Sequence, residues 1–145
     1  MSNKIEIKKI INCKKNKKKI VLCHGVFDVL HTGHLKYFSQ AKKLGHILVV
    51  SVTSDKFVKK GFGRPLFDEN KRLQILNNIK FIDLVIINNF ETPIKLIRAL
   101  KPDVYCKGSD YKNINSDITK NIIKEKNEVI KNGGRFIVSN TRLFS

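Results

Sequence analysis

Residues 20–40, IVLCHGVFDVLHTGHLKYFSQ, constrain the fold more than any other stretch of the chain. Ile20-Val21-Leu22-Cys23 is a short apolar run with the length and composition of a buried strand. Gly25 breaks the run. After Asp28 and Leu30 comes His31-Thr32-Gly33-His34, and Leu35, Phe38 and Ala41 continue it as an amphipathic helix. A strand, a tight glycine turn and a helix start together aim backbone N–H groups and a positive helix end at one point, where a phosphate is favoured. His31 and His34, three apart in the first helical turn, add two side-chain donors on roughly one face. The plainer alternative is a pair of ordinary histidines that happen to begin a helix.

The same alternation continues along the chain. Leu44-Gly45 reads as a helix C-cap, and His46 to Thr53 (HILVVSVT) as a second buried strand, continuous and β-branched as parallel sheets require. The loop from Ser54 to Phe67 mixes glycines with cations, a basic flap able to close over phosphates or a merely solvated loop. Asp68-Glu69 begins a helix carrying Arg72, with its acids where the helix dipole prefers them. Ile82 to Ile87 is a third strand. Thr92 is the expected N-cap of the next helix and Pro93 its first residue; Lys101-Pro102 ends it. Val104 to Cys106 is a fourth strand, residues 117–131 a helix closed by Asn132-Gly133-Gly134, and Phe136 to Val138 a fifth strand. Five strands alternating with helices predict an α/β fold, a Rossmann-like, doubly wound, five-stranded parallel sheet with helices on both faces. Ligands of such sheets bind outside the carboxyl ends of the strands, near the reversal of strand order. The histidine turn, the basic loop and the Lys107-Gly108-Ser109-Asp110-Tyr111 turn should therefore converge on one crevice.

At 145 residues the chain is read as one domain, residues 1–145, with 1–18 an N-terminal helix and basic segment. Ile5, Ile7, Ile10 and Ile11 lay the helix on the domain. The run Lys14 to Lys19 reads as a solvated loop before the first strand, with phosphate contact as the other possibility. The net charge of +17 favours polyanionic partners, although the abundance of Lys, Ile and Asn throughout makes part of it background. Cys13, Cys23 and Cys106 show neither a CxxC pair nor metal-ligand spacing, and without a signal peptide they predict a reducing cytoplasm. No run of 18 apolar residues predicts a membrane span. Two histidines alone do not make a structural zinc site, which needs four ligands, so no protein metal site is expected.

The ten residues GVFDVLHTGH resemble the HxGH signature of the cytidylyltransferase-like nucleotidyltransferase superfamily. Ser54-Asp55, Gly63-Arg64-Pro65, Arg72, Glu91-Thr92-Pro93, Pro102-Asp103, Lys107-Gly108-x-Asp110-Tyr111 and Asn132-Gly133-Gly134 extend the likeness over about residues 18–139. Together they resemble the adenylyltransferase domain of the ADP-heptose synthases, with glycerol-3-phosphate cytidylyltransferase as the second relative. Small Ser109 leans towards the heptose family's KGGDY, hence towards ATP rather than CTP. The chain departs from that family at His24, where asparagine is usual. It departs again at its end: a serine/threonine-rich motif should begin near Asn140, and only Ser145 matches it before the sequence stops.

The resemblance implies transfer of AMP from ATP to a sugar phosphate such as heptose 1-phosphate, releasing pyrophosphate. The alternatives are CTP with glycerol 3-phosphate or a similar phosphorylated alcohol, and, in another class, a catalytically weak module that binds nucleotide or RNA. His31, His34, Lys59 and Arg72 are the expected catalytic residues. Gly25, Val26, Phe27, Gly33, Lys107, Gly108, Ser109, Asp110, Tyr111, Asn140 and Ser145 are expected to bind nucleotide, and Asp28, Lys60 and Arg64 the acceptor. For Asp28 the rival role is orienting the loop backbone. Mg²⁺ is implied as the counter-ion of the triphosphate, a separate sugar kinase and a homodimer as partners; nucleic acid and membrane are not expected.

Overall fold

The computed structural model describes residues 3–59, 61–108 and 119–139 of the chain. Its elements are α1 (Asn3–Lys15), β1 (Ile20–Gly25), α2 (Thr32–Lys42), β2 (Ile47–Thr53), α3 (Glu69–Asn77), β3 (Leu84–Asn88), α4 (Ile94–Leu100), β4 (Val104–Lys107), α5 (Thr119–Lys131) and β5 (Arg135–Val138), with a 3-10 turn at Asp55–Phe57. The five strands form one sheet in the order β3-β2-β1-β4-β5, every pair parallel. This is the predicted doubly wound architecture. The chain leaves β1 in one direction to build β2 and β3, then crosses to the other side for β4 and β5. The strand order reverses between β1 and β4.

Both faces of the sheet are covered. On one, Val21, Cys23, Leu48, Val50 and Val52 meet Tyr37, Phe38 and Ala41 of α2 and Leu76 of α3. On the other, Ile20, Leu22, Val49, Ile86 and Tyr105 meet Ile10 of α1, Leu96, Ile97 and Leu100 of α4 and Val129 of α5. Alternate residues of β1 serve opposite cores, which is why the strand is apolar without a polar partner face. Among the described residues no helix is long and apolar enough to cross a membrane.

Several boundaries differ from expectation. β1 runs two residues past Cys23, because His24 and Gly25 still pair with Ser51 and Val52. β3 starts at Leu84, after Asp83 has turned its carboxylate back onto the Leu48 amide at 2.8 Å. Pro93, not Thr92, is the cap residue of α4, while the Thr92 hydroxyl accepts from the Ile94 amide at 3.5 Å. Lys14 and Lys15 belong to the last turn of α1 rather than to a loop, as suits cations at a helix C-terminus. Gly45 is not a left-handed cap; a Cβ there would lie 2.9 Å from the Lys19 carbonyl oxygen, so the position admits close backbone approach.

Candidate active site

The turn after β1 is shaped by Phe27, which adopts a left-handed backbone with φ +51. A bulky residue takes this conformation only where its surroundings hold it there. The ring packs against Phe38 and His34, with centroids 5.3 and 6.1 Å away. It also lies under Gly25, where an added Cβ would come within 3.0 Å of the ring. Gly25→Ala is therefore expected to lower stability by about 1–3 kcal/mol, the range for overpacking a filled site. A thermal melt of the variant checks this.

His31 is the N-cap of α2, in extended conformation, and its Nδ1 accepts from the Gly33 amide at 3.0 Å. His34 answers it: its Nδ1 accepts from the His31 amide at 3.2 Å. The two histidines thus form a capping box, a task more often given to Ser or Thr with Glu or Gln. An Nδ1 that accepts a backbone N–H carries no proton, so each neutral ring holds its proton on Nε2. Two imidazole donors, their centroids 4.3 Å apart, therefore stand at the positive end of a helix, beside the reversal of strand order.

Two buried charges tie the surrounding segments together. Asp28, 8 % exposed, accepts from the Leu66 amide at 2.8 Å, the Phe67 amide at 2.9 Å and Arg64 at 3.2 Å. Two of these contacts hold the backbone of the basic loop. Burial pushes its carboxyl pKa up, but the Phe67 and Leu66 amides and the Arg64 guanidinium outweigh this and hold it below the usual value. A depressed folded pKa contributes stability above the unfolded value and loses it as the pH falls through the folded one. Asp28→Asn is expected to cost about 1–3 kcal/mol at neutral pH. The gap to the unaltered chain should begin to narrow below about pH 4, the unfolded value, and close as the pH falls through the lower pKa of the native carboxyl. Urea unfolding at both pH values measures this.

Arg72 lies inside the fold. Its side chain is fully buried, and it donates to the carbonyls of Phe67 (3.0 Å), Val26 (2.8 Å) and Thr53 (2.7 Å) and to the Asp55 carboxylate (2.7 Å). It braces the histidine turn, the end of β2 and the basic loop. Lys59 pairs with Glu91 on the exposed surface. Gly33 lies in the first turn of α2, and Lys107 and Gly108 are buried at the end of β4. Lys60, Ser109, Asp110, Tyr111, Asn140 and Ser145 lie outside the described residues. Among the described residues no group of three or more His, Cys, Asp or Glu side chains is arranged to hold a metal ion.

Residues that the sequence reading left without a role also reach this edge. His24 Nδ1 contacts the Ser51 hydroxyl, its Nε2 lies 3.4 Å from Thr53 Oγ1, and its carbonyl accepts from Lys107. Burial, then the Lys107 charge, push the His24 pKa well down, so the ring is neutral.

The cytidylyltransferase-like family model matches residues 22–142 of the chain. Over 122 residues the chain is 43% identical to the bifunctional protein HldE of Campylobacter concisus, an alignment covering 81% of this chain and 26% of that protein. Over 111 residues it is 46% identical to the bifunctional protein HldE of Helicobacter pylori, covering 73% and 24% respectively. The chain thus spans about a quarter of the length of these curated relatives. Among solved structures, the lipopolysaccharide core biosynthesis protein of Thermoplasma volcanium superposes with a TM-score of 0.70 at 30% identity, over 86% of this chain and 98% of that one. The pantoate-beta-alanine ligase of Francisella tularensis, at 17% identity and a TM-score of 0.59 over 95% of this chain and 66% of that one, shares the fold alone.

Proposed function

The chain belongs to the cytidylyltransferase-like nucleotidyltransferases, and on that premise we propose that it transfers AMP from ATP to a sugar 1-phosphate, heptose 1-phosphate foremost. The observation that carries the reading is the two-histidine capping box, which sets two Nε2–H donors at a helix N-terminus beside the strand reversal. Such a site neutralises charge on oxygens and needs no covalent intermediate. A phosphate oxygen of the sugar attacks the α-phosphorus in line, the bond to the bridging oxygen breaks, and pyrophosphate leaves with the electron pair. His31 and His34 donate to the triphosphate as that charge develops, while the amides from Gly25 to Phe27 hold its oxygens.

In this reading Gly108 to Tyr111 line the base and ribose, and Asn140 and Ser145 add donors to the phosphates. Arg64 and Lys60 face the acceptor phosphate, Lys59 offsets charge from the loop, and Arg72 and Asp28 keep the loop in place. Mg²⁺ travels with the triphosphate. The donors here, imidazole and backbone N–H, suit phosphate oxygens, whereas Mg²⁺ prefers oxygen ligands, so the nucleotide itself supplies them. The relatives are named bifunctional, and the sugar phosphate that this reaction consumes is assigned to a sugar kinase activity. The partner copy is assigned to a homodimer, which sedimentation of the pure chain measures.

Pyrophosphate release with each of four pairs tests the reading: MgATP or MgCTP, with heptose 1-phosphate or glycerol 3-phosphate. Release with MgATP and the heptose phosphate alone is the expected result. Release with CTP and glycerol phosphate would transfer the assignment to a cytidylyltransferase. Silence in all four, together with salt-dependent RNA binding, would overturn transfer in favour of a binding module.

A further inference from the structure

The proposed transfer leaves one buried cluster without a role. Lys107 ends β4, Tyr105 precedes it by two residues on the same face of the strand, and Glu125 of α5 packs against them. The three are 3 %, 0 % and 5 % exposed. The Tyr105 hydroxyl donates to Glu125 Oε1, and Lys107 Nζ lies 5.4 Å from the centre of the Tyr105 ring. The same ammonium donates to the His24 carbonyl at 2.8 Å. The parallel register of β1 with β4, Val21 beside Val104 and Leu22 beside Tyr105, carries forward to set His24 beside Lys107. This is the place where the strand order reverses, and His24 is the residue before Gly25.

An ammonium at this depth costs several kcal/mol unless a counter-charge accompanies it. Glu125 supplies it from a distance, its carboxyl bonded to the Tyr105 hydroxyl and the Tyr105 ring beside the ammonium. Burial pushes its carboxyl pKa up, against the pull of the Lys107 charge and the Tyr105 hydroxyl. Replacing buried charged groups by apolar residues of similar volume is often neutral or stabilising, so stability alone gives little reason to keep such a cluster. Its position gives a better reason. The cation is bonded to the residue that precedes the turn whose amides are assigned to the phosphates.

We propose that Glu125, acting through Tyr105 and Lys107, is a positioning residue for the triphosphate. It holds the Lys107 ammonium on the His24 carbonyl, which fixes the start of the Gly25–Phe27 turn and places a positive charge behind it. This deepens the nucleotidyl-transfer reading and rests on it. It also moves Lys107 from the base pocket expected by resemblance to a position beneath the phosphates.

Calorimetric titration with MgATP and with magnesium pyrophosphate tests the inference without requiring turnover. Lys107→Met should weaken both about 10- to 100-fold, the scale of a hydrogen bond to a charged group. Glu125→Gln should weaken them less, and should have no further effect in the Lys107→Met background, the non-additivity expected of residues in one chain of contacts. If Lys107→Met does not melt cooperatively, Tyr105→Phe, which deletes one hydroxyl of the chain, should weaken pyrophosphate binding in its place. Unchanged pyrophosphate affinity in these variants would overturn the inference. So would an equal Glu125→Gln effect in both backgrounds, as a purely structural glutamate would give. An unaltered chain that binds MgATP yet releases no pyrophosphate with any acceptor contradicts the transfer reading, and the titrations still decide this one. An unaltered chain that binds neither ligand overturns both.

Discussion

Replacing His31 or His34 with alanine is expected to lower the rate of pyrophosphate release about 10²–10³-fold, the loss seen when one preorganised donor to a developing oxyanion is removed. Each histidine has two tasks, and they can be separated. Through Nδ1 each caps α2; through Nε2 each is the donor assigned to the triphosphate. An alanine at the N-cap alone costs about 1 kcal/mol of stability, which is not a catalytic effect. His31→Asn keeps an N-cap acceptor, and His34→Gln keeps the third-position partner of a capping box. Both variants should therefore melt near the unaltered chain and still lose turnover. If they recover turnover along with stability, the histidines are caps and nothing more.

Arg72→Ala is expected to be the most destabilising single change, by about 3–5 kcal/mol, as when one partner of a buried charged network is removed. The figure rests chiefly on the carbonyls of Val26, Thr53 and Phe67, which lose their donor while the segments they belong to stay packed. The ion pair adds less, because the Asp55 side chain is 39% exposed. In a domain of this size a loss on that scale lowers the midpoint by roughly 10 °C or more. Arg72→Lys is the sharper test. A lysine keeps the charge but has no planar fork to reach four acceptors in different directions. A brace therefore predicts that Arg72→Lys also melts early. A phosphate ligand predicts instead a stable protein with a raised KM for the nucleotide.

The fold was legible because its signals are local. Apolar runs such as Leu48 to Val52, the glycine break at Gly25 and the acids at Asp68-Glu69 each specify an element from within a few residues, and the regular alternation of elements then fixes a parallel sheet. The place of the site was legible for the same reason, since the histidine turn follows a strand directly. What the sequence could not show is where long side chains end. Arg72 satisfies carbonyls 5, 19 and 46 residues away in sequence, and nothing near Arg72 signals that destination. Histidines as reciprocal caps escaped notice because capping signals are sought in Ser, Thr, Asp and Asn. Glu125 reads as one more polar residue of a helix until β4 is seen beneath it. The faint signal for it was an acid one turn before Val129, a residue on the core-facing side of α5.

Transfer of AMP requires that the bond broken lie between the α- and β-phosphates. Parallel reactions with ATP labelled at the α- or the γ-phosphorus, in the presence of Mg²⁺ and heptose 1-phosphate, test it most directly. The account predicts that the α-label moves into a nucleotide sugar while the γ-label is recovered in pyrophosphate. Recovery of the γ-label on the sugar, with ADP as the other product, would contradict it, for the chain would then be a phosphoryl rather than a nucleotidyl transferase.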